Sequence, residues 1–324
     1  MSRAFCILFS AIVVFAVVGP AQAQPVWPVK PVRLINAGTP GGPADTALRV
    51  FCEFMGPSMK QPCIVDSRAG ANGIAAMEAF ARSPADGYVL GVGSVNPLAI
   101  NPHLYKKLPY DPFRDFTPLG FIIDLAPFFV SVTPKIPARN LAELIAYAKT
   151  QPGKLSFGAT TPITGMAGDW INKAAGIDVL HVNYNTAGQL MQGALSGDVQ
   201  IVYNSLSTIR GALKTGDLIP IAVSSSNRFA AFPEVAAVGE TLKGFQADGW
   251  LALFGPSGFP KELVPLINRE IDKVVTSKGF REKMSPFAWN NENGASTPEA
   301  LAEKIRAEYE LWGRVIREIG IKPQ

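Results

Sequence analysis

Strand-like apolar segments alternate with amphipathic segments along most of this chain, and this alternation restricts it to layers of helices around β-sheets. Near the N-terminal end, the segments 32–36, 63–67 and 88–94 have the composition of strands. The segments 45–60 and 73–83 between them carry apolar residues at helical spacing. These five segments predict one βαβαβ unit. Its third strand is almost entirely apolar, as expected where helices cover both faces of a parallel sheet.

The same pattern returns in the middle of the chain, which predicts a second α/β unit. Strands are predicted at 128–132, 155–159, 198–204 and 219–224. Near the C-terminus, Thr297 is expected as the N-cap of a long helix whose apolar stripe faces the core. The expected fold class is therefore α/β, with two similar lobes.

The first 23 residues have the layout of a cleavable secretory signal. Arg3 gives a basic start, an apolar run extends from 4 to 18, and a small-residue "AQA" motif ends at Ala23. The apolar run is shorter than the ~20 residues that a membrane span requires. We therefore expect cleavage near Ala23 and export of the mature chain to the periplasm.

Charge and cysteine content narrow the function classes. The formal net charge is +4, with no run of Lys or Arg, so a nucleic-acid partner is not expected. Downstream of the predicted signal there are two cysteines, Cys52 and Cys63. They could form a disulfide in an oxidising compartment, or they could be separate buried thiols, one on a helix and one entering a strand. The sequence leaves that choice open.

Signatures of catalysis and of cofactor binding are largely missing from the sequence. The histidines His103 and His181 have no neighbouring metal ligand at helical or hairpin spacing, and no G-x-S-x-G or Walker A motif occurs. The segment 91–96 resembles a dinucleotide loop only at its first two glycines. We expect no catalytic residue, no metal and no cofactor. The candidate set for an exported hydrolase is Ser94 with His103 or His181.

Three loops rich in small or hydroxyl-bearing residues each lead into a predicted helix. Unpaired N–H groups and the positive end of the helix dipole suit such positions to a carboxylate or phosphate. In open α/β sheets, ligands collect at the carboxyl ends of strands, where these loops would lie. Asp45 is itself an acid, so we expect it to cap its helix rather than touch an anion. The loops offer Gly41 and Gly42 in 40–45, Thr160, Thr161 and Thr164 in 158–165, and Thr186 in 184–189.

Several longer stretches resemble those of one known family. The motifs "PGGPAD", "DSRAGANG", "SPADGYVLGVG", "NPLAINPHLYKKLPYDPFRDFTPL" and "HVNY" follow in the order of the substrate-binding proteins of tripartite tricarboxylate transporters, also called the Bug family. The resemblance extends from about Trp27 to the C-terminus. It implies a periplasmic binding protein of the type II fold, with two Rossmann-like lobes joined by two crossing strands. The implied lobes are 24–122 plus 226–324, and 123–225.

The resemblance implies binding without turnover. Such a protein, expected here as a monomer, closes on a small organic anion, mostly a carboxylate, and delivers it to a membrane permease of one large and one small subunit. Some relatives instead act as sensors for signalling systems, so a sensor with the same cleft and a membrane kinase as partner is an alternative. The other alternative is an exported hydrolase. Such an enzyme would need a nucleophile and a base close together.

The resemblance also implies which residues bind the ligand. They lie after the first and third strands and in the loops of the second lobe, and they are Gly41, Gly42, Pro43, Ala44, Asp45, Ser94, Asn96, Ala159, Thr160, Thr161, Thr164, Thr186, Ala187, Gly188, Tyr203 and Asn204.

Two positions depart from the family pattern. The lead into the glycine pair is "NAGT", which is smaller and more polar than usual, and Tyr203 replaces an aspartate that is common before Asn204. Loss of an acid beside the cleft would reduce repulsion of an anion and weaken any interaction with an ammonium group. Our hypothesis is therefore a plain or aromatic carboxylate rather than aspartate or glutamate, within an expected ligand class that also includes dicarboxylates. The alternative is that Tyr203 only packs in the sheet.

Overall fold

A computed structural model describes residues 27–289, 291 and 294–324 of the 324-residue chain. The predicted secretory signal, residues 1–23, lies outside this part. The strands, in chain order, are β1 (Val32–Asn36), β2 (Cys63–Ser67), β3 (Val89–Ser94), β4 (Phe116–Ala126), β5 (Phe128–Val132), β6 (Leu155–Ala159), β7 (Val179–Asn183), β8 (Ile201–Ser205), β9 (Ile219–Val223) and β10 (Gly249–Pro256).

Helices separate most of these strands. They are α1 (Pro43–Met59), α2 (Ile74–Ala81), α3 (Asn101–Leu104), α4 (Leu141–Lys149), α5 (Pro162–Ala175), α6 (Ala187–Ser196), α7 (Leu206–Thr215), α8 (Val238–Thr241), α9 (Leu263–Val275), α10 (Lys278–Met284) and α11 (Pro298–Glu318). A π-helical turn, Asn96–Ile100, runs directly into α3. Short 3₁₀ turns occur at Ala71–Gly73 and Ser285–Phe287.

The first sheet has the strand order β2-β1-β3-β10-β4. Strands β2, β1 and β3 are parallel to one another. Strand β10 comes from much later in the chain and lies antiparallel between β3 and β4. The first sheet is therefore built from both ends of the described chain.

The second sheet has the order β7-β6-β8-β5-β9 and uses residues from the middle of the chain alone. Strands β7, β6 and β8 are parallel, whereas β5 is antiparallel to both β8 and β9. The chain passes between the sheets twice, between β4 and β5 and again between β9 and β10. The structure is thus the two-lobed α/β arrangement that the sequence predicts.

The observed strand bounds match the bounds predicted from the sequence for some strands and differ for others. Strands β1, β2, β5 and β6 have the predicted bounds, because each is a short apolar run ended by turn residues. The predicted strand 198–204 begins later, at Ile201. Strands β4, β7 and β10 have no counterpart among the segments predicted individually. The lobe boundaries stay a prediction, and β4 of the first sheet continues past residue 122 to Ala126.

Helix α1 shows how the amphipathic pattern builds the core of the first lobe. Its predicted apolar face, Leu48, Phe51, Met55 and Met59, is buried. Phe51 meets Phe280 of α10 edge-on, with ring centroids 6.2 Å apart. On another side of the helix, Cys52 forms a disulfide with Cys63 of β2, across 11 positions of sequence. The disulfide, rather than two separate thiols, is therefore the state of these cysteines.

Helix α11 closes the structure and contacts both β4 and the π-helical turn. Thr297 caps its start by accepting a hydrogen bond from the N–H of Ala300, as the sequence predicts. Trp312 of this helix is fully buried and donates its indole N–H to Glu308 at 3.0 Å. Of the described helices, none has both the length and the apolar character needed to cross a membrane.

Candidate functional site

The segment that follows β3 in the first sheet contacts the segment that follows β6 in the second sheet. Asn96 follows the end of β3 in the first sheet, and its side-chain oxygen accepts a hydrogen bond from the backbone N–H of Ile163 at 3.0 Å. Ile163 lies in the first turn of α5, directly after β6 of the second sheet. Ligands in open α/β sheets bind outside the carboxyl ends of strands. The Asn96–Ile163 contact therefore marks the floor of the candidate cleft.

The glycine loop after β1 is organised by a buried carboxylate. Asp45 is 1% exposed, and it accepts hydrogen bonds from the N–H of Gly41 at 3.0 Å and the hydroxyl of Ser67 at 2.6 Å. Arg49 donates two further hydrogen bonds to the same carboxylate, from Nε at 2.7 Å and from the guanidinium NH₂ at 3.2 Å. Asn36, the last residue of β1, donates in turn to Ser67 at 2.9 Å. These contacts fix the loop against the ends of β1 and β2.

Asp45 acts at the start of its helix, but not through the N–H groups of the helix itself. It lies in the first turn of α1, and its side chain accepts from the N–H of Gly41, one residue before the N-cap Gly42. Burial raises the pKa of the Asp45 carboxyl, but hydrogen bonds from Arg49, Ser67 and Gly41 outweigh it, and the net pKa lies below the usual value. Asp45 is thus an anion whose acceptor sites are taken by the loop that it supports.

The first turn of α1 is left open by the same loop. Pro43 at the first helical position has no N–H, and no described side chain caps the turn. Gly41 has a φ of +73°, a left-handed conformation that glycine adopts without strain. A Cβ on Gly42 would lie 2.9 Å from the hydroxyl of Thr39, so a side chain is poorly tolerated. The glycine pair therefore exposes the N-terminal end of α1 at the carboxyl edge of the sheet.

The start of α5 is different, because its N–H groups already have partners. The N–H of Ile163 is bound by Asn96, and the N–H of Thr164 reaches the Thr161 hydroxyl at 3.5 Å. The Thr164 hydroxyl in turn accepts from the N–H of Thr161 at 3.2 Å, which completes a capping box. Pro162 has no N–H to offer. The expectation that this helix start would hold an anion through its N–H groups is therefore wrong.

Hydroxyl groups of the second lobe remain at the same edge. Thr160 follows β6 and accepts a hydrogen bond from the side-chain N–H of Asn204 at 2.8 Å. The hydroxyl of Thr160 keeps its own proton for donation. Asn204 is buried, and its side-chain oxygen accepts from the N–H of Ser205 at 2.9 Å. The pair holds the ends of β6 and β8 in register.

The third predicted loop lies at the start of α6 and is exposed. Thr186 is the N-cap and accepts a hydrogen bond from the N–H of Gln189 at 3.2 Å. Ala187 and Gly188 follow in the first turn, and both are exposed. A Cβ on Gly188 would meet nothing within 4 Å. This helix start therefore has room for a bound group.

Two predicted residues lie away from the open edge. Ala159 and Tyr203 are 0% and 1% exposed. Ala159 contributes its carbonyl oxygen to a hydrogen bond from the N–H of Tyr184 at 2.9 Å. Burial and the nearby Asp248 carboxyl raise the pKa of the Tyr203 phenol, and a hydrogen bond with Ser224 lowers it by less. The expectation that Tyr203 lines the cleft is corrected, since a fully buried phenol is closed to a ligand.

A polar cluster between the two lobes was missed by the sequence analysis. Ser224 donates its hydroxyl to Asp248 at 3.0 Å and accepts at the same oxygen from the N–H of Phe128 at 2.8 Å. Ser224 follows β9, Asp248 precedes β10 and Phe128 begins β5, so the cluster ties together both passages of the chain between the sheets. Burial raises the pKa of Asp248 to about 6, although hydrogen bonds from Ser224 and Gln246 act in the opposite direction.

Neither histidine supports the hydrolase alternative. His103 donates through Nε2 to the carbonyl of Tyr309 at 2.9 Å, and Nδ1 of His181 lies 3.0 Å from Asp169. His103 packs on α11, and His181 stacks on Phe157 inside the second lobe. Neither ring is hydrogen-bonded to Ser94, the nucleophile that the alternative requires. Among the described residues, no group of three or more His, Cys, Asp or Glu is placed to hold a metal ion.

Comparisons with known proteins identify a matching family and several relatives of this chain. Residues 47–321 match the family described as "Tripartite tricarboxylate transporter family receptor". The chain is 28% identical to the protein BugT of Bordetella pertussis over 326 residues, which cover 99% of each chain. It is also 28% identical to a UPF0065 protein of Bordetella bronchiseptica, with 98% of this chain and 93% of the relative covered.

Two solved structures with the same fold have sequence identities to this chain similar to those of the Bordetella proteins. The R. palustris protein Rpa4515, solved with adipate, is 26% identical, has a TM-score of 0.84, and covers 92% of this chain and 100% of its own. The periplasmic binding protein BugD is 25% identical, has a TM-score of 0.81 and covers the same shares. The chain therefore belongs to the tripartite tricarboxylate transporter receptor family, and it is a solute-binding protein rather than an enzyme.

Proposed function

We propose that this protein binds a small carboxylate between its two lobes and delivers it to a membrane permease of one large and one small subunit. The observation that carries the proposal is the contact between Asn96, after β3, and Ile163, after β6. The uncapped start of α1 follows β1, the strand next to β3. Family membership supports the receptor role, and the adipate bound to Rpa4515 supports a carboxylate ligand.

The proposed site has two halves with different chemistry. The first lobe offers backbone N–H groups at the start of α1, and the second lobe offers threonine hydroxyls and the start of α6. Neutral donors of this kind bind a carboxylate strongly in a dry cleft, because hydrogen bonds to an ion are stronger than those between neutral groups. The residues proposed to contact the ligand are Gly41, Gly42, Pro43, Ala44, Ser94, Thr160, Thr161, Thr186, Ala187 and Gly188. Asn96, which is bonded to Ile163, and the buried Thr164 and Asn204 are proposed to position them.

Two separate anion-binding groups, one in each lobe, favour a ligand with two carboxylates. Helix α1 belongs to the first lobe and α6 to the second, and both begin after strands that end at the cleft. A dicarboxylate that contacts both helix starts stabilises the closed arrangement, because an open arrangement would lose one of the two contacts. The dicarboxylate adipate in the 26%-identical relative is consistent with this preference.

The proposal includes export and lobe structure. We infer cleavage after Ala23 and a periplasmic mature protein, because the chain carries a secretory signal pattern and belongs to a family of receptors. The lobes proposed are 24–122 with 226–324, and 123–225. The two chain segments that cross between the sheets, near Phe128 and Ser224, would then act as the hinge.

Thermal unfolding of the mature protein against a carboxylate library tests the proposal. A ligand at a hundred times its dissociation constant adds about 2.7 kcal/mol to folded stability, which corresponds to a shift of several degrees. We expect dicarboxylates to give larger shifts than monocarboxylates, aspartate or glutamate. No shift from any mono-, di-, tri- or aromatic carboxylate would contradict the proposal.

A matched pair of variants separates site effects from general stability. Thr186→Ala removes the N-cap hydroxyl of α6 within the proposed site. Ser277→Ala removes the N-cap hydroxyl of α10, which lies outside it and accepts from the N–H of Phe280 at 3.4 Å. Each loses a cap worth about 1 kcal/mol. Only Thr186→Ala should reduce the ligand-induced shift, and equal shifts in both variants would exclude α6 from the site.

A further inference from the structure

We propose that Asn96 is a positioning residue that latches the two lobes together and thereby sets the affinity for the ligand. The inference deepens the proposed carboxylate binding and rests on it for the affinity, but the latch itself can be tested without any ligand. It starts from the one described side-chain hydrogen bond at the cleft floor that runs from the first lobe to the second, Asn96 to Ile163 at 3.0 Å.

The contact is built into rigid elements on both sides. Asn96 begins the π-helical turn after β3, and the four residues after it in this turn are buried. π-helical turns are rare and frequently occur at functional sites. On the other side, Ile163 is 3% exposed and lies in the first turn of α5. Neither partner is carried on a loop that could follow the other during a lobe motion.

The acceptor is matched to an otherwise unmet donor. The N–H of Ile163 is a first-turn group, which the helix itself cannot satisfy. Pro162 before it has no N–H, and the next N–H, of Thr164, is taken by the Thr161 hydroxyl. When the lobes separate, the N–H of Ile163 loses Asn96 and no described protein group replaces it. Closure therefore gains a hydrogen bond at the positive end of a helix dipole.

Apolar contacts between α5 and the first lobe lie beside the Asn96–Ile163 hydrogen bond. Helix α5 contacts the π-helical turn and α11 of the first lobe, and Trp170 of α5 lies edge-on to Trp312 of α11 with ring centroids 6.5 Å apart. Met166, one turn after Ile163, is also buried. The latch thus lies next to an interlobe contact and directly after the loop that carries Thr160 and Thr161.

Two substitutions at Asn96 are expected to have different effects. Asn96→Ala deletes the acceptor, so the empty protein should be more open and every carboxylate should bind about three- to tenfold more weakly. Asn96→Asp keeps an acceptor and adds a negative charge at the start of α5, which favours the latch. The empty protein should then stay compact, whereas an anionic ligand is repelled, with a loss of affinity that shrinks at high salt.

The control is Asn172→Ala, on the same helix α5. Asn172 donates its side-chain N–H to the carbonyl of Val179 at 2.8 Å within the second lobe. This variant loses one side-chain to backbone hydrogen bond, as Asn96→Ala does, but no interlobe contact. It should lower the melting temperature without changing the radius of gyration of the empty protein or the ligand affinity.

Small-angle X-ray scattering of the empty proteins and calorimetric titration with adipate provide the two readouts. A larger radius of gyration for Asn96→Ala alone, with weaker adipate binding, supports the latch. Weaker binding at an unchanged radius would overturn it and assign Asn96 a direct ligand contact. An unchanged radius and unchanged affinity would also overturn it. If the wild-type protein binds no adipate or other carboxylate while Asn96→Ala still expands, the latch stands and the proposed function fails.

Discussion

The buried carboxylate of Asp45 allows a quantitative prediction for the glycine loop. Asp45→Ala removes the acceptor for the N–H of Gly41 and for the hydroxyl of Ser67. Hydrogen bonds to a charged group contribute about 1.5–3 kcal/mol each, and the lower end applies to Gly41, which is exposed and regains water. The contacts with Arg49 count little, because its side chain is 60% exposed. We expect a loss of about 3 kcal/mol of unfolding free energy.

The amide variant Asp45→Asn sharpens the test. Every described hydrogen-bond contact of the carboxylate comes from a donor: Gly41, Ser67 or Arg49. The side-chain NH₂ of asparagine would therefore face a donor, and the Ser67 hydroxyl already accepts from Asn36. We expect Asp45→Asn to lose about 2 kcal/mol, more than an isosteric change usually costs.

Urea unfolding monitored by circular dichroism measures both losses. The control is Asp66→Asn, whose partner Arg68 is 41% exposed, so that the cost should stay under about 1 kcal/mol. Both Asp45 variants should also show smaller carboxylate-induced thermal shifts, because the glycine pair is no longer fixed. If Asp45→Ala is folded and within about 1 kcal/mol of the wild type, the carboxylate does not organise this loop and the reasoning is refuted.

Two further perturbations test features away from the loop. Replacing Cys52 and Cys63 with alanine removes a cross-link spanning 11 positions and should lower the unfolding free energy by about 3 kcal/mol. Reduction of the wild type removes the same cross-link, so equal melting temperatures for the reduced and oxidised wild type would contradict this. Asp248 has a folded-state pKa of about 6, raised from 3.8, so the folded state binds the proton more tightly. Its contribution to stability is then complete below pH ~4 and lost as the pH rises towards about 6. Asp248→Asn should remove that part of the pH dependence in thermal unfolding, and an identical pH profile would refute the assignment.

Part of this fold is readable from local sequence, and part depends on distant pairing. Strands β1 and β6 were predicted at their observed bounds, because each is a short apolar run followed by small residues. Strand β10 was not predicted individually. It is held between β3 and β4 by antiparallel pairing with residues more than a hundred positions away, and no local pattern encodes that partnership.

The candidate site divides in the same way. The glycine pair and the threonine loops were found because small residues before helices have a local signature. Asn36 and Ser67 were missed, although each is the polar last residue of an apolar strand, a signal that would have found them. Asp248 could not be found, because a lone acid between apolar residues resembles any surface acid until its burial is known. The same is true of the partner that Asn96 finds in Ile163.

The insertion of β10 between β3 and β4 has a consequence for how the polypeptide matures. Strands β5 to β9 are consecutive, so the second sheet has all its members once residue 223 is available. The first sheet lacks the strand that joins β3 to β4 until Gly249–Pro256 is available, and β4 has no neighbour in that sheet before then. As the chain emerges from its N-terminal end onward, the middle lobe can become compact first, and the other lobe is completed only when β10 is available. Its exposed strand edges in that interval are where a chaperone would be needed most.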